Sequence, residues 1–229
     1  LCGSRGTITY GHAVSSAAED AKHKLFELAK PYLEVAEDSM YLTEYGVATV
    51  ARPGKFVTWK KLIPQDLTLT GYGQHLENFS TPNMFIVFLE VQVDRETGKV
   101  DVLNMLGGTD CGQMIDPSGL EMQAQGGIGS ASLDTATFEE HIIDPGTGRT
   151  MTYDMIEYKW RPFNEFPKYE TCFMESQFDT FQFKATGVGE IAGAAAASAT
   201  MQAISNAIGV QVATYPATPD VILKALGKI

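Results

Sequence analysis

The chain has 229 residues, 44% of them hydrophobic and 20% charged, enough for one large domain or two small lobes around a real core. Its net charge of −11, with no basic cluster or stripe, argues against a nucleic-acid or anionic-membrane surface. No apolar run approaches the roughly 20 residues of a membrane span, and three widely spaced cysteines (Cys2, Cys111, Cys172) suit reduced thiols in a cytoplasmic protein. They also exclude an iron–sulfur cluster built from this chain alone, which ordinarily takes four cysteines.

Taken in order, the elements predict an α+β chain of mixed sheets and packed helices. After a Gly-Ser-Arg loop, Val14, Ala17, Ala18, Ala21, Leu25, Leu28 and Tyr32 recur at helical spacing, so a helix is expected to end near Pro31. Short strands and turns are expected over 39–74, broken by Pro53-Gly54 and Pro64. The run 84–93 reads as the clearest strand, paired through an Asp94-Arg-Glu-Thr-Gly98 turn with a partner at about 99–106. A helix is expected over 117–133, weakened by Gly126 and Gly127. Strand and loop alternate over 136–180. An alanine-rich helix is expected over about 191–208, with Met201, Ile204 and Ile208 on its apolar side. Thr218 is expected to cap a last helix that has Pro219 at its first position.

The most informative segment is Lys184-Ala-Thr-Gly-Val-Gly-Glu190, which runs into Ile-Ala-Gly-Ala-Ala-Ala-Ala-Ser198. Gly187 and Gly189, either side of Val188, let the backbone pass close to something bulky. The small residues that follow make a helix that a ligand or another backbone can approach. Glu190 then stands at a helix start, beside backbone amides and the positive dipole end. Taken alone, the pattern reads first as a helix N-terminus whose carboxylate merely favours the dipole.

Three companion motifs lie along the chain: Cys2-Gly-Ser-Arg-Gly-Thr-Ile-Thr-Tyr-Gly-His-Ala-Val14; Gly107-Gly-Thr-Asp-Cys-Gly-Gln-Met-Ile-Asp-Pro117 with Glu121-Met-Gln-Ala-Gln-Gly-Gly127; and Tyr215-Pro-Ala-Thr-Pro-Asp-Val-Ile-Leu223. In order and spacing the four motifs resemble the C-terminal half of the molybdopterin-binding subunit of the xanthine oxidase and aldehyde oxidoreductase family, the molybdenum hydroxylases. The resemblance spans residues 1–229, and two α/β lobes, about 1–110 and 111–229, are one expected subdivision. Because the first residues already belong to a motif, the chain is read as a C-terminal piece, or as one subunit of a split enzyme.

The resemblance implies oxidative hydroxylation of a small molecule, an aldehyde or N-heterocycle, with water as the oxygen source. It places Glu190 as general base, a task for which a desolvated carboxylate is suited and which the helix dipole would oppose. It implies a molybdenum–molybdopterin cofactor as its cytosine dinucleotide, contacted by Gly3, Ser4, Arg5, Gln123 and the Gly187-Val188-Gly189 turn, with Cys2 near the molybdenum. Cys2 is not expected as a metal ligand, because the pterin dithiolene supplies the sulfurs, and no protein metal ligand is expected. Implied partners are a second molybdopterin-binding polypeptide, an iron–sulfur subunit and a flavin subunit carrying FAD, with neither nucleic acid nor membrane.

Two departures from the family pattern bear on the nearest relative. Ile128-Gly129-Ser130 stands where a second glutamine is common, and Ile191-Ala192 follow Glu190 where many relatives have prolines. His12, His23, His75 and His141 show no ligand spacing and read as surface or helix residues. Trp59, Trp160 and the Phe-rich stretch 163–183 read as core or subunit contact. Two alternatives stay open: a non-catalytic assembly paralogue of the same fold, and a phosphate- or nucleotide-binding module built on the Gly-rich helix start and Arg5. No Lys-Ser/Thr pair follows the glycines, which counts against the second.

Overall fold

The computed structural model describes residues 2–65, 67–75, 84–127, 133–138, 140–178 and 183–229. It contains mixed helices and sheets and divides into two compact units: Gly6–Phe79, and Leu1–Arg5 together with Ser80–Ile229. No division falls near residue 110, because the strand that ends there is hydrogen-bonded on both edges to strands of the same sheet.

In the unit Gly6–Phe79, helix α1 (Gly6–Leu33) starts eight residues before the expected apolar periodicity and carries Pro31 in its last turn. The early start brings Ile8 into a buried position. Strands β1 (Met40–Thr43), β2 (Gly46–Thr49) and β3 (Phe56–Thr58) form an antiparallel meander, followed by the short helix α2 (Trp59–Leu62). Phe26, Ala29 and Leu33 of α1 bury against Met40, Val47, Val57 and Leu62, with Trp59 partly buried beside them. The stripe Ala13, Ala17 and Ala21 has a partner as well. A Cβ on Gly71 would stand 2.1 Å from the Ala17 carbonyl oxygen, and one on Gly73 2.2 Å from the Ala17 nitrogen, so two glycines let this segment lie directly on the helix. Asp20 fixes it there by accepting from Tyr72 N (2.7 Å) and from Lys24.

The second unit is built on strands β4 (Phe85–Val93), β5 (Val100–Asp110) and β6 (Lys168–Met174). β4 and β5 form the expected hairpin, with a bulge at Glu90/Val91, and β5 runs on to Asp110. β6 joins β5 in parallel. Helix α5 (Ile191–Ile208) covers one face: Ala192 and Ala196 bury against Val102, Met105 and Leu133, with Phe85, Val87, Leu89 and Val91 packed on them. Small side chains bring the helix axis near the strands, so the backbone expected to approach this helix includes its own sheet. Gly127 is a second close neighbour, since a Cβ there would lie 2.7 Å from Ala192 Cβ.

The rest of α5 packs Met201, Ile204 and Ile208 on Ala136, Val212, Ala217 and Ile222. Gly209, left-handed at φ 74°, ends the helix, and Arg95 donates to the Ile208 carbonyl at 2.9 Å. Within the expected helix over 117–133, α3 spans Pro117–Gln125; α4 spans Leu133–Thr137, and 128–132 lie outside the described residues. Asp116 caps α3 by accepting from Gly119 N at 3.0 Å. Helix α6 (Pro219–Ala225) begins after Thr218 as expected, but Thr218 makes no side-chain cap, and its hydroxyl donates to Asp220 at 2.6 Å. A fully buried ion pair ties α4 to the segment before β6: Arg161 Nε donates to Asp134 Oδ1 at 3.0 Å, and its Nη2 donates to Thr137. Among the described residues no helix is long and apolar enough to cross a membrane.

Candidate functional site

Strands β5 and β6 run parallel, so their C-terminal ends lie side by side, and a carboxylate holds them together. Asp110 Oδ1 accepts from Gly112 N (3.2 Å) and Ser176 N (3.1 Å). The Ser176 contact holds the Asp110 carboxyl below the usual aspartate range, against a smaller opposing effect of burial. Glu175 Oε1 accepts from Met114 N at 2.9 Å. These bonds aim the chain after β5 along the segment Lys184–Thr186. Gln113 N donates to the Lys184 carbonyl (2.8 Å) and Thr186 N to the Cys111 carbonyl (2.9 Å). Gly112 is required in this crossing: its φ is +64°, and a Cβ would stand 2.2 Å from the Lys184 oxygen. Cys111 is buried, which pushes its thiol pKa up and keeps it unreactive. Thr186 is also buried, and its Oγ1 has no hydrogen-bond partner in the structure.

The Gly187-Val188-Gly189 turn follows directly and meets the one-turn 3-10 helix Cys2–Ser4, which is kinked at Gly3 (φ 75°). A Cβ on Gly187 would lie 1.5 Å from the Ser4 carbonyl oxygen, so only glycine allows the two loops to touch this way. Two hydrogen bonds join them beyond that contact. Gly3 N donates to Glu190 Oε2 at 2.8 Å, and Glu190 N donates to Ser4 Oγ at 2.8 Å. Glu190 occupies the N-cap position of α5, yet its side chain does not cap its own helix. The carboxylate reaches across to the other loop instead and stays exposed.

Gln123 of α3 completes the cluster. Its Nε2 donates to the Gly189 carbonyl, spending one of two amide protons on the turn itself. Arg5 is exposed, with its Nε 3.5 Å from where a Cβ on Gly3 would stand. Val188 is half-buried; Cys2 belongs to the 3-10 turn, and its side chain lies outside the described residues. Gly3, Ser4, Arg5, Gln123, Gly187, Val188, Gly189 and Glu190, selected from three separate stretches of sequence, thus converge on one surface. Asp110, Glu175 and Thr186 were not singled out from sequence. The Gly-Gly-Thr-Asp-Cys-Gly motif contained Asp110, but nothing in it marks that carboxylate as the clasp between two strand ends.

Beside this cluster, Met122 and Gln125 of α3 line a cavity of about 370 Å³ with Gly126, Phe163, Phe166, Pro167 and Tyr169. Burial and the nearby Glu121 push the Tyr169 hydroxyl pKa up to about 12. Trp160 is half-exposed and Phe163 is 93% exposed, so neither belongs to the core. Elsewhere the rings of His12 and His75 lie 4.3 Å apart, and His23 pairs with Glu37 at 3.1 Å. No group of three or more His, Cys, Asp or Glu able to hold a metal ion occurs among the described residues.

Residues 2–167 match the family described as "Molybdopterin cofactor-binding domain". The aldehyde oxidoreductase molybdenum-binding subunit of Escherichia coli K12 is 31% identical over 140 residues, covering 61% of this chain and 19% of that protein. The xanthine dehydrogenase molybdenum-binding subunit of Escherichia coli O157:H7 is 26% identical over 224 residues, covering 94% of this chain and 30% of its own length. Among solved structures, quinoline 2-oxidoreductase from Pseudomonas putida 86 shares the fold with a TM-score of 0.82 at 23% identity, over 100% of this chain and 31% of that one. The chain therefore spans between about a fifth and a third of the length of these proteins. With three of the four motifs in one cluster and the family match over most of its length, the chain belongs to the molybdopterin cofactor-binding domain family, of the xanthine oxidase and aldehyde oxidoreductase type.

Proposed function

We propose that this chain supplies the general base and one wall of the cofactor cleft of a molybdenum hydroxylase acting on an aldehyde or N-heterocycle. The carrying observation is the placement of Glu190: an exposed carboxylate at the head of an 18-residue helix, held from outside by Gly3 rather than spent on its own helix. The residues present suit a polar pterin and its phosphates. Gly3 and Gly189 expose backbone edges, Gln123 retains one amide proton, Arg5 offers a guanidinium fork for phosphate oxygens, and Thr186 Oγ1 is an enclosed hydroxyl without a partner. Gly187, with no room for a Cβ, keeps the wall thin. We take the cofactor to be the molybdopterin cytosine dinucleotide, with iron–sulfur and FAD centres on partner chains and a second molybdopterin-binding polypeptide forming the facing wall.

When bound, the molybdenum cofactor supplies the two-electron oxidant and activates the water that hydroxylates the substrate. The protein's part is proton transfer and placement. Glu190 Oε2 is engaged by Gly3 N–H, so Oε1 is the atom that takes the proton from the attacking water. Gln123 and Ser4 hold the turn that carries the carboxylate. Arg5 and the glycine backbone bind and orient. The test is Glu190→Gln, which keeps side-chain shape and cannot accept the proton. Turnover should fall by about 10²–10⁴ while molybdenum content and folding stay near normal. Reduction of molybdenum by substrate within a few-fold of wild type, followed by stopped-flow absorbance, would return Glu190 to the part of a simple helix-start carboxylate.

A further inference from the structure

We infer that Ser4 is a positioning residue for Glu190, and that residues 3 and 4 together form a bracket that fixes which carboxylate oxygen receives the proton. The inference rests on the reading of Glu190 as the base and adds a residue that acts through it. Ser4 is one of three non-glycine residues described with positive φ, at 58°, an unfavourable backbone state for a residue with a Cβ. A strained conformation persists where its surroundings demand it, and here the demand is visible. That backbone state points two groups at a single residue 186 positions away: the Gly3 amide donates to Glu190 Oε2, and the Ser4 hydroxyl oxygen accepts the Glu190 amide proton. One residue is therefore held by its side chain and its main chain at once, from the same short turn.

Neither contact is needed to form helix α5, whose first intrahelical bond already uses the Glu190 carbonyl as acceptor for Gly193 N. Glu190 is exposed, so packing does not restrict its rotamers and the bracket is what does. The approach is close because Gly187 yields the space of a side chain to the Ser4 carbonyl.

Two variants in the molybdenum-loaded holoenzyme test this. Ser4→Ala removes the acceptor, and Ser4→Gly also relieves the backbone strain. In Ser4→Ala and Ser4→Gly, kcat should fall about 10–100-fold through misplacement of the base, with KM within about twofold and molybdenum content unchanged. Exchange of the Glu190 amide hydrogen, read by mass spectrometry from overlapping peptides, should quicken about tenfold in both. In a Glu190→Gln background, Ser4→Ala should cost little more, because the group it positions no longer works. Molybdenum content falling in step with activity would make Ser4 a cofactor ligand and overturn the inference. So would unchanged amide exchange in Ser4→Ala, or additive losses in the double variant. If Glu190→Gln alone is fully active, the base reading falls and takes the catalytic role of the bracket with it, while the exchange rates still report the hydrogen bond.

Discussion

Replacement of Gly187 by alanine should separate close loop contact from ordinary glycine tolerance, with Gly189→Ala as its internal control. On Gly187 the new Cβ would stand 1.5 Å from the Ser4 carbonyl oxygen and 2.6 Å from its carbon. Relief to a contact of about 3.4 Å needs the loops to part by about 1.9 Å. The bonds Gly3 N to Glu190 and Glu190 N to Ser4 are each 2.8 Å long and lie alongside, so neither survives that movement. Overpacking costs roughly 1–3 kcal/mol, and two lost hydrogen bonds at an exposed carboxylate add roughly 1–2 kcal/mol, for about 2–5 kcal/mol in total. On Gly189 the nearest atom to a new Cβ is Ser4 Oγ at 3.5 Å, an ordinary contact, so its cost should stay within about 1 kcal/mol. Thermal unfolding midpoints and molybdenum content by elemental analysis are the assays. Gly187→Ala should unfold earlier and lose molybdenum, while Gly189→Ala should do neither. If the two variants match in both measurements, the loops do not meet as described and the account of the bracket is wrong.

Asp134→Ala would leave the Arg161 guanidinium buried without its carboxylate, which should cost about 3–5 kcal/mol and lower the unfolding midpoint; a midpoint within about 1 °C of wild type would contradict the buried pair. Asp220 gives the pH dependence its sign. The Thr218 hydroxyl, and next Lys224, hold its carboxyl pKa down to about 2 from an ordinary 3.8. The folded state therefore binds this proton more weakly than the unfolded one, so the contribution is complete above pH 3.8 and fades as pH falls toward 2. Asp220→Asn should narrow the gap in midpoint to wild type over that interval, and a constant gap from pH 5 to 2 would refute the assignment.

The helices and the hairpin were legible because their signals are local. Asp94-Arg-Glu-Thr-Gly98 closes β4 onto β5, and the apolar spacing of Met201, Ile204 and Ile208 marks α5 as a buried helix. Where sequence reading fell short, a distant partner decided. The Gly6–Ala13 stretch has poor helix formers and lies ahead of the apolar periodicity that begins at Val14, yet it is helical, with Ile8 at 2% exposure. Thr218 has the right identity for a cap, but its side chain turns to a carboxylate two residues on, to which its hydroxyl donates.

The same distinction governs the site. A glycine pair before a lone acid is conspicuous because few backbones tolerate both absent Cβ atoms and a charge, so Gly187, Gly189 and Glu190 could be selected from one segment. The clasp formed by Asp110 and Glu175 could not, because each is one acid among 28 and its acceptors' donors lie on backbone up to 66 residues away. Side chains that bond to backbone amides leave no complementary residue in the sequence for a reader to match. This explains why the converging residues could be picked from the sequence while their support could not. It also locates the leverage in this domain: Glu190 is placed by Gly3 and Ser4, these are seated by Gly187, and Gly187 is delivered by a strand end that Asp110 holds shut. A substitution at Asp110 should therefore be felt at the carboxylate through three consecutive contacts, none of which involves the cofactor.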